Sequence, residues 1–283
     1  MKQTMKTFFK TIIFVSVVVS TPIVSAQDTP IKYVRYEYEG RASYGVLDGN
    51  TINELRGSIF ESSEPTGRTL SLADVKLLVP TEPSKVIAIG FNYRSHLGDR
   101  EPEPYPGVFA KYPSSLIATE EAIEFPEGAT NVHYEGEMVL VIGKQARNVP
   151  KSRALSHVFG VTAGNDVSER DWQQNDLQWF RAKASDTFGP LGPVIVQGLN
   201  PDDLLLQTRL NGELRQSQRT SDLFFDSATI ISYVSKFVTL EPGDVIYTGT
   251  PGATRAMKPG DVVEIELEGV GILRNTISAS RTP

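Results

Sequence analysis

The sequence predicts a β-rich α+β protein, a mixed β-sandwich roll preceded by a small N-terminal β domain. Three observations predict this class: short alternating or apolar runs recur, turn signals such as Asn211-Gly212 separate them, and few stretches have helical periodicity. Turns that recur so often favour a roll or sandwich over a doubly wound sheet, in which longer helices would alternate with the strands.

The N-terminal β domain is predicted from short antiparallel strands between Tyr33 and Leu55, which turn at Asp48-Gly49-Asn50. The polar stretch from Glu61 to Gly67 is typical of a loop. We therefore expect a small domain over residues 27–80 and a larger domain over residues 81–283.

The larger domain is predicted to contain mostly strands and few helices. The predicted elements are strands at Lys85–Gly90, Phe159–Thr162, Val245–Thr248 and Val262–Leu267, a helix at Ala228–Phe237, and a hairpin at Asn211-Gly212. Two Gly-Pro pairs between Gly189 and Pro193 predict a rigid loop.

Residues 1–26 have the composition of a secretory signal peptide. A lysine-containing start is followed by an apolar stretch from Thr11 to Ser20 and by the small residues Val24-Ser25-Ala26. The apolar stretch is short for a membrane span, and the chain has no cysteine for lipoprotein acylation. We therefore expect cleavage after Ala26, export to the periplasm, and no membrane span in the mature chain.

The composition excludes several function classes. The formal net charge is −6 and no basic cluster is present, so nucleic acid is not an expected partner. Because the chain contains no cysteine, thiolate metal sites and cysteine nucleophiles are excluded.

Glu135 and Glu137 are the leading candidates for chemistry. They directly precede the apolar run Met138–Ile142, and residues two apart on a strand point to the same face. Two carboxylates held that close repel each other unless a proton or cation neutralises them. Asp166 follows another predicted strand and could complete an oxygen-rich site for Mg²⁺ or Mn²⁺. A solvated strand edge for the glutamates and a turn role for Asp166 remain open from these residues alone.

Four further features could serve such a site. Lys183 could hold an anionic substrate and stabilise an enolate, although lysines are mostly on the surface. The loop Thr248-Gly249-Thr250-Pro251-Gly252 could offer backbone N–H groups to a carboxylate, or be a plain turn. His96 lies three residues before Asp99, which could orient its imidazole, in a polar segment that suggests a lid. His133 shares the face of the glutamates and could bind the metal or support a ligand.

The order of these motifs resembles the fumarylacetoacetate hydrolase family. The resemblance runs from about Lys85 to Ile277 and rests on Asn92-Tyr93-Arg94-Ser95-His96, Tyr134-Glu135-Gly136-Glu137, Asn165-Asp166-Val167-Ser168, the Lys183 loop, Leu240-Glu241-Pro242-Gly243-Asp244 and Thr248-Gly249-Thr250-Pro251.

The resemblance implies the roll of that family's C-terminal domain, a homodimer, and a Mg²⁺ or Mn²⁺ ion bound by Glu135, Glu137 and Asp166. It also implies that His96 lies on a lid over the substrate, and it does not place His133 among the ligands. Asp99 departs from the family pattern, which has glutamate there, and the signal peptide is a second departure.

We therefore expect a metal-dependent hydrolase that cleaves a carbon–carbon bond in a small 2-oxo or 2,4-dioxo acid of the acylpyruvate or fumarylacetoacetate type. His96, oriented by Asp99, would deprotonate the attacking water, and Lys183 would stabilise the enolate. The expected substrate-binding residues are Tyr93, Arg94, Gly249 and Thr250.

Two alternatives remain. One is a decarboxylase or isomerase of the same kind of acid, of the oxaloacetate or 2-hydroxyhepta-2,4-diene-1,7-dioate type, which needs no attacking water. The other is a non-catalytic exported binding protein, which would have no need for the base His96. A structural Ca²⁺ site is disfavoured because no D-x-D-x-D-G loop is present.

Overall fold

The computed structural model describes Met1 and residues 29–279, which form a sandwich of β-sheets with short helices. The strands are β1 (Ile31–Tyr38), β2 (Arg41–Asp48), β3 (Thr51–Arg56), β4 (Glu64–Ser71), β5 (Lys76–Leu77), β6 (Val86–Gly90), β7 (Gly107–Lys111), β8 (Leu116–Ile117), β9 (Ala122–Glu124), β10 (Val132–His133), β11 (Gly136–Ile142), β12 (Val158–Asn165), β13 (Ser168–Glu169), β14 (Gly189–Gln197), β15 (Leu205–Leu210), β16 (Glu213–Arg219), β17 (Val245–Tyr247), β18 (Val262–Leu267) and β19 (Gly271–Ser278).

The helices are short, and none in the described part of the chain is long and apolar enough to cross a membrane. The α-helices are α1 (Arg94–Leu97), α2 (Lys151–Ala154), α3 (Arg170–Asn175), α4 (Phe180–Ala184) and α5 (Ser227–Val234), and 3-10 turns lie at Leu72–Asp74, Pro113–Ser115, Leu155–His157 and Thr220–Asp222. The predicted β-rich α+β class is therefore confirmed.

The strands form one large mixed sheet and two smaller sheets. The large sheet has the order β4-β3-β2-β1-β14-β12-β11-β17-β6-β7, with β5 beside β1 and β8 beside β14. The second sheet has the order β16-β15-β18-β19-β9, and β10 pairs with β13. Most neighbours are antiparallel, but β6 with β17, β8 with β14 and β9 with β19 are parallel.

Strand β11, in the middle of the large sheet, is buried on both faces. All seven of its residues are buried. Met138 and Leu140 belong to the core shared with the second sheet, whereas Val139 and Val141 belong to a separate cluster on the opposite face. Because side chains alternate along a strand, Glu137 lies on the same face as Val139. The apolar run therefore fixes the direction in which Glu137 points.

Several predicted turns and strands are confirmed. Asn211 and Gly212 have φ values of 54° and 78° and connect β15 to β16, as in a hairpin turn that needs two positive φ angles. The predicted strand Val262–Leu267 matches β18. The predicted helix ends earlier than expected, at Val234, and Asp226 caps its first turn by accepting a hydrogen bond from the Thr229 backbone.

Two predicted loops are strands. Glu64–Ser71 pairs with β3 at the edge of the large sheet, where most of its side chains are exposed, so no apolar alternation marks it. The two Gly-Pro pairs lie within β14. The pairing of β14 with β12 is irregular between Val161 and Ala163, opposite the part of β14 that contains Pro193, which cannot donate a ladder hydrogen bond. Pro190 pairs with Ile117 of β8.

The N-terminal strands continue the large sheet. β1 pairs with β14 through Ile31–Gln197, Lys32–Val196 and Tyr33–Ile195. Val34, Tyr36 and Ile52 belong to the same buried cluster as Met138. The strands expected to form a small N-terminal domain thus share a core with the strands that carry the candidate site.

Candidate active site

The three predicted carboxylates lie together at the ends of two adjacent strands. Glu135 and Glu137 flank the first residue of β11, and Asp166 follows the last residue of β12. The backbone N–H of Asp166 donates to the carbonyl of Glu135 at 2.9 Å, which holds the two strand ends in register. The three side chains are buried, and one carboxylate oxygen of each lies within 4.8 Å of the others.

Lys183, from α4, is also part of this cluster. Its Nζ donates to Glu135 Oε2 at 2.7 Å and to Asp166 Oδ2 at 2.6 Å, and it lies 5.0 Å from the centre of the Phe109 ring. Burial alone would lower the pKa of Lys183, but attraction to Asp166 and Glu135 outweighs it and raises the pKa. Lys183 is therefore a buried cation and not a surface lysine.

Lys111, at the end of β7, is a site residue that the sequence analysis missed. Its Nζ donates to Asp166 Oδ1 at 2.6 Å and to the backbone carbonyl of Lys183. Burial lowers the pKa of Lys111, partly offset by Asp166. The two carboxylate oxygens of Asp166 thus each accept a hydrogen bond from a different lysine.

Arg170 is a second residue that the sequence analysis missed. It begins α3, and its guanidinium donates to Glu135 Oε1 at 2.5 Å and to Thr254 Oγ1 at 2.9 Å. His133 does not belong to the three-carboxylate cluster, because Nδ1 contacts Thr254 Oγ1 and Nε2 contacts Asn131 Oδ1, both at 2.9 Å. Burial and the charge of Arg170 lower the pKa of His133 to about 4.

Glu135 and Glu137 differ in electrostatic environment. Burial would raise the pKa of Glu135, but Lys183 and Arg170 hold it well below its usual value. Burial, together with the charges of Asp166 and Glu135, raises the pKa of Glu137 well above its usual value. Its one hydrogen bond within the described residues comes from the Gly249 backbone N–H to Oε2 at 2.6 Å. Within residues 29–279, no cationic side chain forms an ion pair with Glu137.

His96 faces this cluster, but it is not oriented by Asp99. Nδ1 lies 2.6 Å from the carbonyl of Gly252, which can only accept, so the proton is on Nδ1. Nε2 lies 3.8 Å from Glu135 Oε1. Asp99 is exposed, and its carboxylate forms no hydrogen bond or ion pair within residues 29–279. The expected His96–Asp99 pair is therefore not formed.

The cluster opens into a cavity of about 550 Å³, a size that suits small ligands. Its lining includes Phe91, His96, Arg100, Phe109, Glu135, Glu137, Arg170, Gln173, Gln174, Trp179, Lys183, Thr250 and Thr254. A larger cavity of about 720 Å³, beside Tyr112 and Phe180, contains none of the predicted site residues. We therefore place the candidate active site in the first cavity.

The predicted substrate-binding residues divide into two groups. Thr250 lines the cavity and accepts a hydrogen bond from Gln216 at 2.9 Å, and Gly249 lies beside it, next to Glu137. Tyr93 is fully buried and outside the cavity lining. The Arg94 guanidinium is 4.9 Å from the centre of the Phe224 ring, also outside the lining. The structure brings Gly249 and Thr250 to the site but not Tyr93 and Arg94.

The donor set fits a divalent metal ion. Glu135, Glu137 and Asp166 offer only carboxylate oxygens, which are the ligands that hard divalent cations prefer. A cation bound there would also neutralise Glu137, which no cation in the described part of the chain contacts.

Comparison with known proteins identifies the chain. Residues 85–278 match the family described as fumarylacetoacetate (FAA) hydrolase C-terminal, and residues 31–80 match the Rv2993c-like N-terminal family. The oxaloacetate tautomerase fahd2, mitochondrial, of Xenopus laevis is 41% identical over 244 residues, which cover 81% of this chain and 76% of the relative.

Two solved structures are also similar. The 2-hydroxyhepta-2,4-diene-1,7-dioate isomerase of Mycobacterium marinum superposes with a TM-score of 0.83 at 36% identity, covering 89% of this chain and all of the other. The maleylpyruvate hydrolase of Sphingobium, solved with manganese(II) and pyruvate, has a TM-score of 0.74 at 27% identity, covering 88% of this chain and all of the other.

The expected export to the periplasm is wrong, because the relative from Xenopus laevis is a mitochondrial protein by name. Apart from Met1, the segment 1–26 on which that expectation rested lies outside the described residues. The buried acidic triad and the manganese-bound relative together support a divalent-metal site. On the length and identity of these matches, the chain belongs to the fumarylacetoacetate hydrolase family.

Proposed function

We propose that this protein catalyses the keto–enol tautomerisation of a small 2-oxo acid. The observation that carries the proposal is the placement of His96. The Gly252 carbonyl accepts a hydrogen bond from Nδ1, so Nε2 is the ring nitrogen that faces the cavity, beside Glu135. A single base in that position suits a reaction that moves one proton and needs no activated water.

In the direction from ketone to enol, His96 Nε2 takes a proton from the carbon next to the 2-oxo group. The imidazolium then returns that proton to the oxygen, so the imidazole is neutral again and no other reactant is consumed. Lys183 keeps its charge through Glu135 and Asp166 and stabilises the negative oxygen. A Mg²⁺ or Mn²⁺ ion held by Glu135, Glu137 and Asp166 would act as a Lewis acid toward the 2-oxo acid.

The similar proteins support this reaction class. The relative from Xenopus laevis is an oxaloacetate tautomerase, and the protein from Mycobacterium marinum is an isomerase, and both share more than a third of their aligned residues with this chain. Each named relative is an enzyme, which counts against a non-catalytic binding protein.

Hydrolysis of a carbon–carbon bond is the second candidate, supported by the similarity to maleylpyruvate hydrolase. Hydrolysis requires a water that His96 deprotonates, and the family pattern orients that histidine with a carboxylate three residues later. Here Asp99 is exposed and the Gly252 carbonyl takes its place. A carboxylate at Nδ1 would support the histidine as it takes a proton from water, and within residues 29–279 the partner of Nδ1 is a neutral carbonyl.

The test is a pair of variants assayed with Mn²⁺ for ketonisation of enol-oxaloacetate and for cleavage of an acylpyruvate. His96→Gln is expected to lower the tautomerase kcat by about 10²–10⁴-fold, the usual contribution of a general base. Asp99→Asn is expected to leave it within about twofold, because Asp99 contacts no described site residue.

Two results would contradict the proposal. One is wild-type ketonisation no faster than the buffer reaction. The other is acylpyruvate cleavage that exceeds ketonisation and falls equally in both variants, since that pattern would show a His96–Asp99 pair acting on water.

A further inference from the structure

Gln216 is a buried amide that reaches the candidate site from the second sheet. It lies on β16, the edge strand of that sheet, and it is the one buried residue of this strand, with 3% of its surface exposed. An amide at such a position loses its hydrogen bonds to water, so protein partners must replace them. The partners of Gln216 all belong to segments that form the site.

Two backbone groups fix the orientation of the Gln216 amide. The N–H of Gly136 donates to Oε1 at 3.2 Å, and Nε2 donates to the Pro251 carbonyl. Because an N–H only donates and a carbonyl only accepts, exchanging the oxygen and nitrogen of the amide would break both bonds. The nitrogen therefore lies on the side of Pro251, where it also donates to Thr250 Oγ1 at 2.9 Å.

This contact determines what the Thr250 hydroxyl offers to a ligand. A hydroxyl accepts through its lone pairs and donates through one proton. The bond from Gln216 occupies a lone pair, and the Thr250 side chain forms no other hydrogen bond within residues 29–279. Thr254, the other threonine of the cavity lining, contacts two protein side chains through its hydroxyl. The proton of Thr250 is therefore available to an acceptor in the cavity.

We propose that Gln216 is a positioning residue that fixes the Thr250 hydroxyl as a hydrogen-bond donor to the carboxylate of the substrate. A carboxylate has only acceptors, so it matches a hydroxyl that has a free proton and an occupied lone pair. Gln216 lies outside the cavity lining and acts through Thr250, which lines it. This inference rests on the proposed function, because it takes the ligand to be a 2-oxo acid.

A purely structural role for Gln216 makes a different prediction. The amide also joins the backbone of Gly136, which lies between Glu135 and Glu137, to the loop that contains Pro251. If this connection were its whole role, losing the amide would disturb the cavity whether or not the Thr250 hydroxyl is present. The positioning role is favoured because Nε2 donates to a side chain of the cavity and not to backbone alone.

The experiment measures the dissociation constant of pyruvate, a small 2-oxo acid, by calorimetry on the Mn²⁺-loaded protein. The proteins are wild type, Gln216→Met, Thr250→Val, Thr250→Ser and the double variant Gln216→Met/Thr250→Val. The kcat and KM for ketonisation of enol-oxaloacetate are measured on the same proteins.

Thr250→Val is expected to raise the Kd of pyruvate about 10- to 100-fold, because a hydrogen bond to a charged group is lost. Thr250→Ser keeps the hydroxyl and is expected to stay within about threefold of wild type. Gln216→Met is expected to raise the Kd about 3- to 10-fold, since the hydroxyl remains but is no longer held in one orientation.

The double variant separates positioning from general disturbance. In the Thr250→Val background, Gln216→Met is expected to change the Kd by less than about twofold, because its effect passes through the hydroxyl that is missing there. In the Thr250 background, Gln216→Met is expected to raise KM along with the Kd and to leave kcat within about twofold, as when binding to ground and transition states weakens equally.

Asn275→Leu is the matched control. Asn275 is also a buried amide, and its Nδ2 donates to the carbonyls of Ala118 and Glu121, both at 2.8 Å, outside the cavity lining. Like Gln216→Met, this substitution removes an amide from two protein oxygens, so both are expected to lower the midpoint of urea denaturation. Only Gln216→Met is expected to change the Kd of pyruvate.

The inference is overturned if Gln216→Met leaves the Kd within about twofold of wild type, or raises it by the same factor with and without the Thr250 hydroxyl. Even if Gln216→Met does not fold, three results overturn it: wild type that does not bind pyruvate, Thr250→Val that binds as tightly as wild type, or Thr250→Ser that binds as weakly as Thr250→Val.

Failure of the proposed function looks different. Wild type and variants would show the expected pattern of Kd values, but wild type would ketonise enol-oxaloacetate no faster than buffer does. That result would support the role of Gln216 and reject tautomerisation.

Discussion

Lys111 is buried because it connects two residues of the active site. Its Nζ contacts Asp166 Oδ1 and the backbone carbonyl of Lys183, so it holds one carboxylate ligand and the end of α4 together. A buried ammonium is costly unless hydrogen bonds and an opposite charge compensate it. Residues that orient a metal ligand in this way contribute to metal affinity without touching the metal.

Lys111→Met is expected to weaken Mn²⁺ binding by about 10- to 100-fold, because Asp166 loses the partner that fixes one of its oxygens. Calorimetric titration of the metal-free protein with Mn²⁺ measures this directly. Lys85→Met is the control: Lys85 also pairs with a buried aspartate, Asp244, at 2.8 Å, but away from the cavity. Equal Mn²⁺ affinity in wild type and Lys111→Met would refute the role assigned to Lys111.

At the residue scale, the sequence predicted the acidic groups better than the basic ones. Glu135 and Glu137 stand out because the period of a strand places them on one face. Lys111 ends an ordinary strand, and only a contact with Asp166, 55 positions away, makes it a site residue. The expected His96–Asp99 pair needed another helical turn, but α1 ends at Leu97 and Gly98 has a φ of 60°.

At the scale of a secondary-structure element, the loop after β17 places the Gly249 backbone against the Glu137 side chain. Gly249 has a φ of 112°, and its N–H donates to Glu137 Oε2 at 2.6 Å. A Cβ added to Gly249 would lie 2.8 Å from the Cβ of Asn92. Asn92 in turn donates to the Thr248 carbonyl at 2.8 Å. Both the backbone angle and the space therefore require glycine at this position.

Gly249→Ala is expected to lower the free energy of unfolding by about 3 kcal/mol, through backbone strain and overpacking combined. Gly252→Ala, in the same loop, is expected to cost about 1 kcal/mol, because its φ is 63° but no atom lies within 4 Å of an added Cβ. Urea denaturation measures both values. A loss of the same size for both variants would show that the contact with Asn92 is unimportant.

Strands and turns could be predicted where a short-range sequence pattern determines them. The Asn211-Gly212 turn and the strand Val262–Leu267 follow from turn geometry and alternation. Strand β4 could not be predicted, because it is an edge strand held by backbone hydrogen bonds to β3 and buries little apolar surface. Strand β14 could not be predicted because it contains two prolines, one opposite the irregular pairing with β12 and one beside the short strand β8.

At the scale of the whole molecule, the N-terminal strands and the candidate site share one core. Ile52, from β3, is fully buried in the same cluster as Met138 and Val161. The two tryptophans, Trp172 and Trp179, lie in and beside the helices that carry site residues. Tryptophan fluorescence therefore follows unfolding of the site, and it shows whether a substitution in the N-terminal strands destabilises that region too.

Ile52→Ala is expected to lower the free energy of unfolding measured by tryptophan fluorescence by about 2–5 kcal/mol, the usual cost of truncating a buried isoleucine. Ile272→Ala, at a half-exposed position of β19, is expected to change it by about 0.5 kcal/mol or less. If the N-terminal strands unfold independently, Ile52→Ala will leave the fluorescence transition where it is in wild type.

The sequence predicted the β-rich class of the whole molecule because strand periods and turns are local signals. It also predicted a small N-terminal β domain over residues 27–80, which stays a prediction, and the pairing of β1 with β14 joins its strands to the large sheet. That pairing lies more than 150 positions apart in the chain, beyond the reach of any local pattern. The expected homodimer stays a prediction, which the molar mass in solution tests.

The charges around Asp166 couple the binding of a divalent cation to the binding of an anionic substrate. Three acidic side chains, Glu135, Glu137 and Asp166, meet three basic ones, Lys111, Lys183 and Arg170. The formal charges of these six groups sum to zero when all are ionised, and a bound cation would favour that state by counteracting the raised pKa of Glu137. A divalent cation leaves the interior with an excess of two positive charges, and a doubly charged anion cancels that excess. Each ligand therefore increases the affinity for the other, a reciprocal coupling that follows from electroneutrality in a buried site.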